Sequence, residues 1–475
     1  MSLDRRQFIS LLGSGAALGS ARLTAAASQP ALPSWLEPYR HPAELIVRTA
    51  LNDHFAWERL AELTDTFGHR LSGSASLEAA IRWVVREMTR DGLENVHTEP
   101  VKVPRWVRGA ERLDVEAPYP RRVPMLGLGG SVGTPRDGIG AELMVVDSFA
   151  ELERRRDEAR GRIVLFNAPF TDYSSTVVYR TDGPARAASA GAVAALVRSI
   201  GPEGLRTPHT GATRVTPGLP QVPAAAIPVE DARRLRRMVE RGQRVTMRLY
   251  MEAETLPDAD SANVIAELRG RERPDEIVLV GAHLDSWDVG EGASDNGGGC
   301  VAVWEIARLL KQLQLRPRRT IRVVLFTNEE NGLRGAYNYR DVHRAELPKH
   351  VMMLESDLGV AAPRGFGVNG GDGVQRQVRA IAALLAPIGA TAVQPSGGGA
   401  DIRPSAEVSG TPMLSPDVES DRYFVVHHTE ADTVDRISPV EMARHVAALT
   451  VMTYVVADMP HRLGEEPQAG PTASQ

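Results

Sequence analysis

Apolar residues recur at helical spacing through the first part of the chain. Between His41 and Asp91 the pattern is helical, with Leu60, Leu63 and Phe67 on one face. A second helix is predicted over about Leu77–Asp91, stopping at Gly92, a residue suited to a left-handed cap. The polar, Gly- and Ser-rich link Gly68–Ser74 reads as a loop.

The texture changes near Val101–Arg108. Residues 111–255 are rich in Gly, Pro, Ala and Arg. Short apolar runs at Leu143–Val146, Ile163–Phe166 and Ala194–Val197 predict strands, and a cluster of prolines, Pro217, Pro220, Pro223 and Pro228, comes after them. This stretch is expected to be a small β-rich module inserted into a larger fold. The larger fold resumes near Ser261–Ile265. From there, strands Ile277–Gly281, Ile321–Phe326 and Val351–Glu355 alternate with helices Gly298–Leu310, Gly332–His343 and Val374–Leu385. Such alternation predicts an α/β fold with a mainly parallel sheet covered on both faces. The last helix opens with Ser438 as N-cap, Pro439 at the first helical position and Glu441 completing a capping box. The tail from 463 to 475 is polar and expected to be disordered.

Composition narrows the class. At 475 residues the chain exceeds what one domain needs, and its formal charge of −5 carries no footprint for a nucleic-acid partner. The single cysteine, Cys300, cannot form an internal disulfide, and its G-G-G-C-V-A-V-W context reads as the buried start of a helix. At the N-terminus, Arg5-Arg6-Gln7-Phe8-Ile9 precedes an apolar stretch, Leu11–Ala21, and small residues around Thr24–Ala27. The stretch is too short for a membrane span. The arginine pair resembles a twin-arginine export signal, an ordinary secretory signal being the other reading. Residues 1–27 are therefore expected to be removed and the protein to be periplasmic or secreted. No later segment is expected to span a membrane.

The chemistry-bearing residues each follow an apolar strand or open a loop. In an open α/β sheet, ligands gather outside the carboxyl ends of the strands, so these residues should converge. His283 leaves a strand in G-A-H-L-D-S-W-D with Asp285 two positions on. A His beside a carboxylate supplies a metal ligand and the partner that fixes its tautomer; a lone His is as readily a capping or core residue. Asp295 stands in S-D-N-G-G-G-C, where glycines let backbone approach an ion, although such a run is commonly a plain turn. Glu329-Glu330 follow V-V-L-F-T-N. Two buried adjacent carboxylates repel unless a cation offsets them, and one can then serve as general base; a solvated pair opening a helix is the plainer alternative. Asp357 ends V-M-M-L-E-S-D, and His427-His428 lie in V-V-H-H-T-E-A-D-T. One His from that pair, His283 and three carboxylates give three protein ligands per metal if Asp295 is shared. That leaves a coordination position for water, as catalytic zinc requires.

These blocks, H-L-D-S-W-D-V-G, D-N-G-G-G, N-E-E, E-S-D-L-G, G-A-D-I and H-H-T-E-A-D-T, resemble in order those of the co-catalytic zinc exopeptidases, metallopeptidase family twenty-eight. The resemblance runs from about Ala43 to Met459. It implies an aminopeptidase-like α/β/α catalytic domain, assigned to 28–110 and 256–462. Gly161–Phe166 and Ala187–Val197 resemble a protease-associated domain, assigned to the insert at 111–255. It also implies two zinc ions. His283 and Asp357 would hold one, Glu330 and His428 the other, and Asp295 would bridge them. His428 is chosen over His427 because H-T-x-x-D-T is the family's pattern. Asp285 would orient His283 and Glu329 would be the general base. Asn296 replaces a second acid usual after the bridging site. Gly399–Ile402 and Tyr423 are expected near substrate, with Tyr423 donating to the oxyanion. The implied reaction is hydrolysis of terminal peptide bonds in dipeptides or short peptides, and a homodimer is implied by the resemblance alone. The rival readings are a glutaminyl-cyclase-like enzyme with one zinc and a non-catalytic receptor on the same fold.

Overall fold

The structure, a computed structural model, describes residues 32–215 and 218–465. The expected export signal, Pro217 and the tail from 466 lie outside the described residues.

Two eight-stranded mixed sheets organise the chain. In the first, the strand Arg273–His283 lies between the parallel strands Arg319–Phe326 and His350–Glu355, with His283 opposite Phe326 and Gly281 opposite Glu355. These are the apolar runs foreseen as strands, and the Arg319–Phe326 strand is buried along its whole length. Successive residues face opposite sides. Val278, Val280, Ile321 and Val323 join the core beneath the helices Phe55–Phe67, Gly298–Gln312 and Pro439–Asp458. Ile277, Leu279, Val324 and Phe326 join a second core with Tyr339 and Ala406 from the helices Arg334–Val342 and Arg403–Ser409. Helices thus cover both faces. The helical region before Asp91 divides into three, Arg40–Ala50, Phe55–Phe67 and Ala75–Arg90, the last followed by Gly92 at φ +74°.

The helix Pro439–Asp458 differs from expectation. Among the described residues it is long and apolar enough to cross a membrane. Its residues from Met442 to Asp458 are buried save Arg444, so the apolar surface is spent on the core. Ser438 caps it, accepting from the Glu441 amide at 3.4 Å.

The chain leaves the first sheet after the strand Glu94–Val107 and re-enters with Glu254–Leu268, two long strands paired antiparallel. Strands between them build the second sheet. Ile139–Val146, Ile163–Phe166, Ala194–Arg198 and Ala224–Ile227 are parallel neighbours in that order. This segment is more helical than its composition foretold, because its strands are apolar on both faces. Leu235 of the helix Val229–Glu240 packs on one face, and Leu152 and Ala187 of Phe149–Arg154 and Gly183–Ser189 on the other. Leu71, Trp106 and Trp287 close its first core.

Candidate metal centre

Three parallel strands end at one place, and their continuations carry the polar residues. His283 is the last residue of Arg273–His283; Glu329 and Glu330 follow Arg319–Phe326; Asp357 follows His350–Glu355. Asp295 lies in the irregular turn Ala293–Gly297 that feeds the helix Gly298–Gln312. The glycines after it have a steric reason. A Cβ at Gly299 would lie 2.1 Å from Asn296 Oδ1 and 2.2 Å from the Ser356 carbonyl oxygen. Only glycine lets the helix start approach Asn296, whose Nδ2 donates to that carbonyl at 2.8 Å. Asn296 thereby ties the Asp295 turn to the Asp357 strand end.

The ligand atoms form two groups that share Asp295. His283 Nε2 lies 3.2 Å from Asp295 Oδ1 and 3.1 Å from Asp357 Oδ1. His428 Nε2 lies 3.2 Å from Asp295 Oδ2 and 3.1 Å from Glu330 Oε2. Donor atoms of His283, Asp295 and Glu330 come within 4.8 Å of one another, and Glu330 Oε1 is buried without a partner. Nitrogen and carboxylate donors so arranged, one oxygen still unsatisfied, suit divalent cations such as zinc. His427 stacks on His428 at 4.3 Å between ring centroids, yet both its ring nitrogens are buried without partners and neither carboxylate meets it.

The electrostatics match a site built for cations. Burial opposes charge on His283, but Asp357, Asp285 and Asp295 outweigh it and hold the imidazole well above its usual value. His428 is raised likewise, burial being overcome by Glu330 and Asp295. Burial would raise Asp295, but the two histidines hold it well below the ordinary range. Burial pushes Glu330 up to about 7, with Asp295 adding to it. Burial drives Glu329 well above the usual carboxylate value, and although His283 opposes this, Asp357 and Glu330 reinforce it.

Asp285 faces both His283 and the glutamate pair. Its carboxylate sits 3.7 Å from His283 Nδ1, too far for a hydrogen bond; its main-chain carbonyl is the nearer partner at 3.0 Å. The carboxylate instead accepts from the amides of Glu329 at 3.1 Å and Glu330 at 3.3 Å, and from Ser72 Oγ at 3.3 Å. It positions the glutamate pair. Tyr423 is buried with its ring against Gly359, and its hydroxyl has no hydrogen bond among the described residues. Burial raises it well above the usual phenol value, with Asp295, Asp357 and Glu330 adding to the effect. The Asp401 and Ile402 amides both donate to Glu355 Oε2 at 3.0 Å, and the Asp401 carboxylate is buried unpartnered. Cys300 is buried with Sγ 2.9 Å from the His283 carbonyl, and burial pushes its thiol up to about 12, as suits a structural residue.

Other residues at the site carried no signal of their own in the sequence. Asp432 accepts from the Ser294 amide at 2.7 Å and the Asp295 amide at 3.1 Å, holding the turn that presents Asp295. It stands inside H-H-T-E-A-D-T, so a search for outer partners could have found it. Arg70 and Ser72 come from the predicted loop Gly68–Ser74, and Thr210 from the second-sheet segment; nothing local marks them.

Comparison with known proteins is consistent with this geometry. The profile of Peptidase family M28 matches residues 263–453. Carboxypeptidase Q of Homo sapiens is 44% identical over 410 residues, covering 86% of this chain and 86% of that protein. The chain belongs to peptidase family M28. Within it, the chain is a carboxypeptidase Q-like metallopeptidase. The crystal structure of a Peptidase M28 precursor from Shewanella amazonensis aligns with a TM-score of 0.87 at 34% identity, over 91% of this chain and all of that one. BSAP, a zinc aminopeptidase from Bacillus subtilis, aligns with a TM-score of 0.64 at 23% identity, over 85% of this chain and 94% of that one, and shares the fold. The M28 match begins at Asn263, where the chain has re-entered the first sheet, and takes in every candidate ligand.

Proposed function

We propose that this M28 peptidase is a binuclear zinc exopeptidase acting on the terminal peptide bond of dipeptides or short peptides. One observation carries the reading: two imidazoles each face a separate carboxylate and a separate oxygen of the shared Asp295. His283 and Asp357 would hold one zinc, Glu330 and His428 the other, with Asp295 between them. The position of His428 Nε2, against the partnerless ring of His427, favours His428 as ligand. Zinc held by these residues would supply a Lewis acid able to lower the pKa of water and polarise a carbonyl. The half-buried Glu329 carboxylate would take a proton from the attacking water and deliver it to the leaving amine nitrogen. The Asp285 carboxylate holds the Glu329 and Glu330 amides, so base and ligand keep their spacing. Tyr423 Oη, which has no hydrogen bond among the described residues, would donate to the oxyanion.

Residues 111–255 are read as a protease-associated insert and residues 1–27 as a twin-arginine export signal, a reading under which the enzyme would act in the periplasm or outside the cell. A glutaminyl-cyclase-like reading needs one zinc, and a receptor reading needs none. The deciding experiment combines zinc stoichiometry with a panel of dipeptides bearing free or blocked termini, assayed with and without chelator. Two zinc ions per chain and chelator-sensitive cleavage of free dipeptides are expected. One zinc with cyclised product, or no turnover on any peptide, overturns the proposal.

A further inference from the structure

We infer that the second-sheet segment completes the metal centre: the Thr210 carbonyl, held by Arg180, fixes the tautomer of His428 and so the atom that His428 offers to a metal. This rests on the binuclear reading above and adds a positioning pair to it.

His428 meets the second-sheet segment through reciprocal bonds. The Thr210 amide donates to the His428 carbonyl at 2.9 Å, and His428 Nδ1 lies 3.2 Å from the Thr210 carbonyl oxygen. Arg180 Nη1 stands 3.3 Å from that oxygen and 3.3 Å from His428 Nδ1. A guanidinium only donates. If Arg180 donated to Nδ1, the ring proton would sit on Nε2, which faces Asp295 and Glu330, and that nitrogen could not ligate. A carbonyl oxygen has two lone pairs and can take both hydrogens, from Nη1 and from Nδ1. The Nε2 lone pair is then free toward the two carboxylates. A partner of this kind is what orients a ligating histidine and raises its basicity.

The pair is tightly built. Thr210 Oγ1 donates to the Gly127 carbonyl at 2.8 Å and accepts from Arg108 Nη2 at 3.3 Å, which fixes the residue carrying the carbonyl. Arg180 Nη2 donates to Tyr173 Oη at 2.9 Å. Arg180 lies flat against Gly211, which has φ +137° and where a Cβ would fall 2.3 Å from Arg180 Cζ. Arg180 is 6% exposed, and among the described residues no carboxylate pairs with it. A buried cation without a counter-ion is costly; here the guanidinium is held by the Thr210 carbonyl, Tyr173 Oη and the face of the Tyr173 ring.

The two metal positions therefore depend on different parts of the chain. His283 takes its Nδ1 partner, the Asp285 carbonyl, from its own segment. His428 takes its partner from across the junction of the two sheets. The test uses the full chain loaded with zinc and equilibrated against chelators of graded strength, with residual zinc and melting temperature read together. In Arg180→Met, the more weakly held zinc should dissociate about 10–100-fold more readily while the other is retained as in the parent. Arg180→Lys, which keeps one donor, should recover part of the loss. Tyr173→Phe, which frees only Nη2, should show a smaller loss at the same position and covers the case in which Arg180→Met does not fold. Parental affinity for both zinc ions in these variants, or equal weakening of both, overturns the inference. A parent that holds fewer than two zinc ions overturns the binuclear reading instead.

Discussion

Glu329 is the residue whose environment most constrains its role. It is walled in by burial and by Asp357, Glu330 and Asp295, all of which disfavour its charge, so a free carboxylate there needs nearby cations to hold it. None of the close ion-pair contacts of the cluster involves it; those connect His283, Asp295, Asp357, Glu330 and His428. A base should be spared from ligation in this way. Glu329→Gln keeps the shape and the Asp285 contact to the main chain. It should leave zinc content unchanged and lower turnover by about 10²–10⁴-fold. Metal analysis beside a steady-state assay checks this, and a variant within a few-fold of the parental rate removes the base assignment. At this scale the sequence was informative: strand-end placement and order singled out His283, Asp295, Glu329, Glu330 and Asp357. The choice between adjacent histidines depended on the family's pattern, because both sit on one buried turn and differ only in where their rings point.

The loops that present these residues are held by elements that sequence inspection does not connect to them. Arg70 is fully buried and donates from Nε to Leu284 O at 2.8 Å, from Nη1 to Gly68 O at 2.8 Å and Glu291 O at 2.7 Å, and from Nη2 to Gly292 O at 2.9 Å. It spans the excursion from the end of the His283 strand to the residue before the Asp295 turn. Partners separated by 214 and 222 residues leave no local pattern. The alternating strands and helices after Ser261 were legible because each strand is an apolar run buried on both faces. The outer strands Pro363–Asn369, Ala392–Gln394 and Met413–Val418 were not, being short or interrupted by Gly and Pro. Arg70→Leu would leave four carbonyls short of a donor, those of Leu284 and Gly292 buried and those of Gly68 and Glu291 half-buried, at about 1–3 kcal/mol for each buried one left unsatisfied. Chemical denaturation should show a loss of at least ~3 kcal/mol, with zinc affinity falling as the loop loosens. A loss below ~1 kcal/mol would mean that water replaces the guanidinium.

Over the whole molecule, the site lies where two sheets share side chains. Leu71 and Trp287 flank the His283 strand yet pack into the core of the second sheet, and Thr210 reaches back to His428. Stability of the joined unit should carry a pH signature from histidines buried as neutral rings. Burial lowers His350 to about 4, with Arg322 adding to it, and burial lowers His445 to about 4. Both make hydrogen bonds in the uncharged form, His350 Nε2 with Tyr339 Oη at 2.9 Å and His445 Nε2 with Ser356 Oγ at 2.9 Å. An unfolded histidine takes up its proton near pH 6.5. Between about pH 6.5 and 4 the unfolded chain therefore binds protons that the native chain refuses, and stability falls as pH falls. The contribution is of order 1–3 kcal/mol per histidine once pH reaches 4. Glu305 acts in the opposite sense. Burial holds its carboxyl up to about 7 against the pull of Arg308, so its protonation favours the native state as pH drops from 7 toward 4.5. The absolute slope mixes these effects, so the informative quantity is the difference between parent and His445→Asn in urea midpoint across that window, with zinc removed from both. The variant should lose less stability on acidification than the parent, and parallel profiles would show that His445 is charged in the native core.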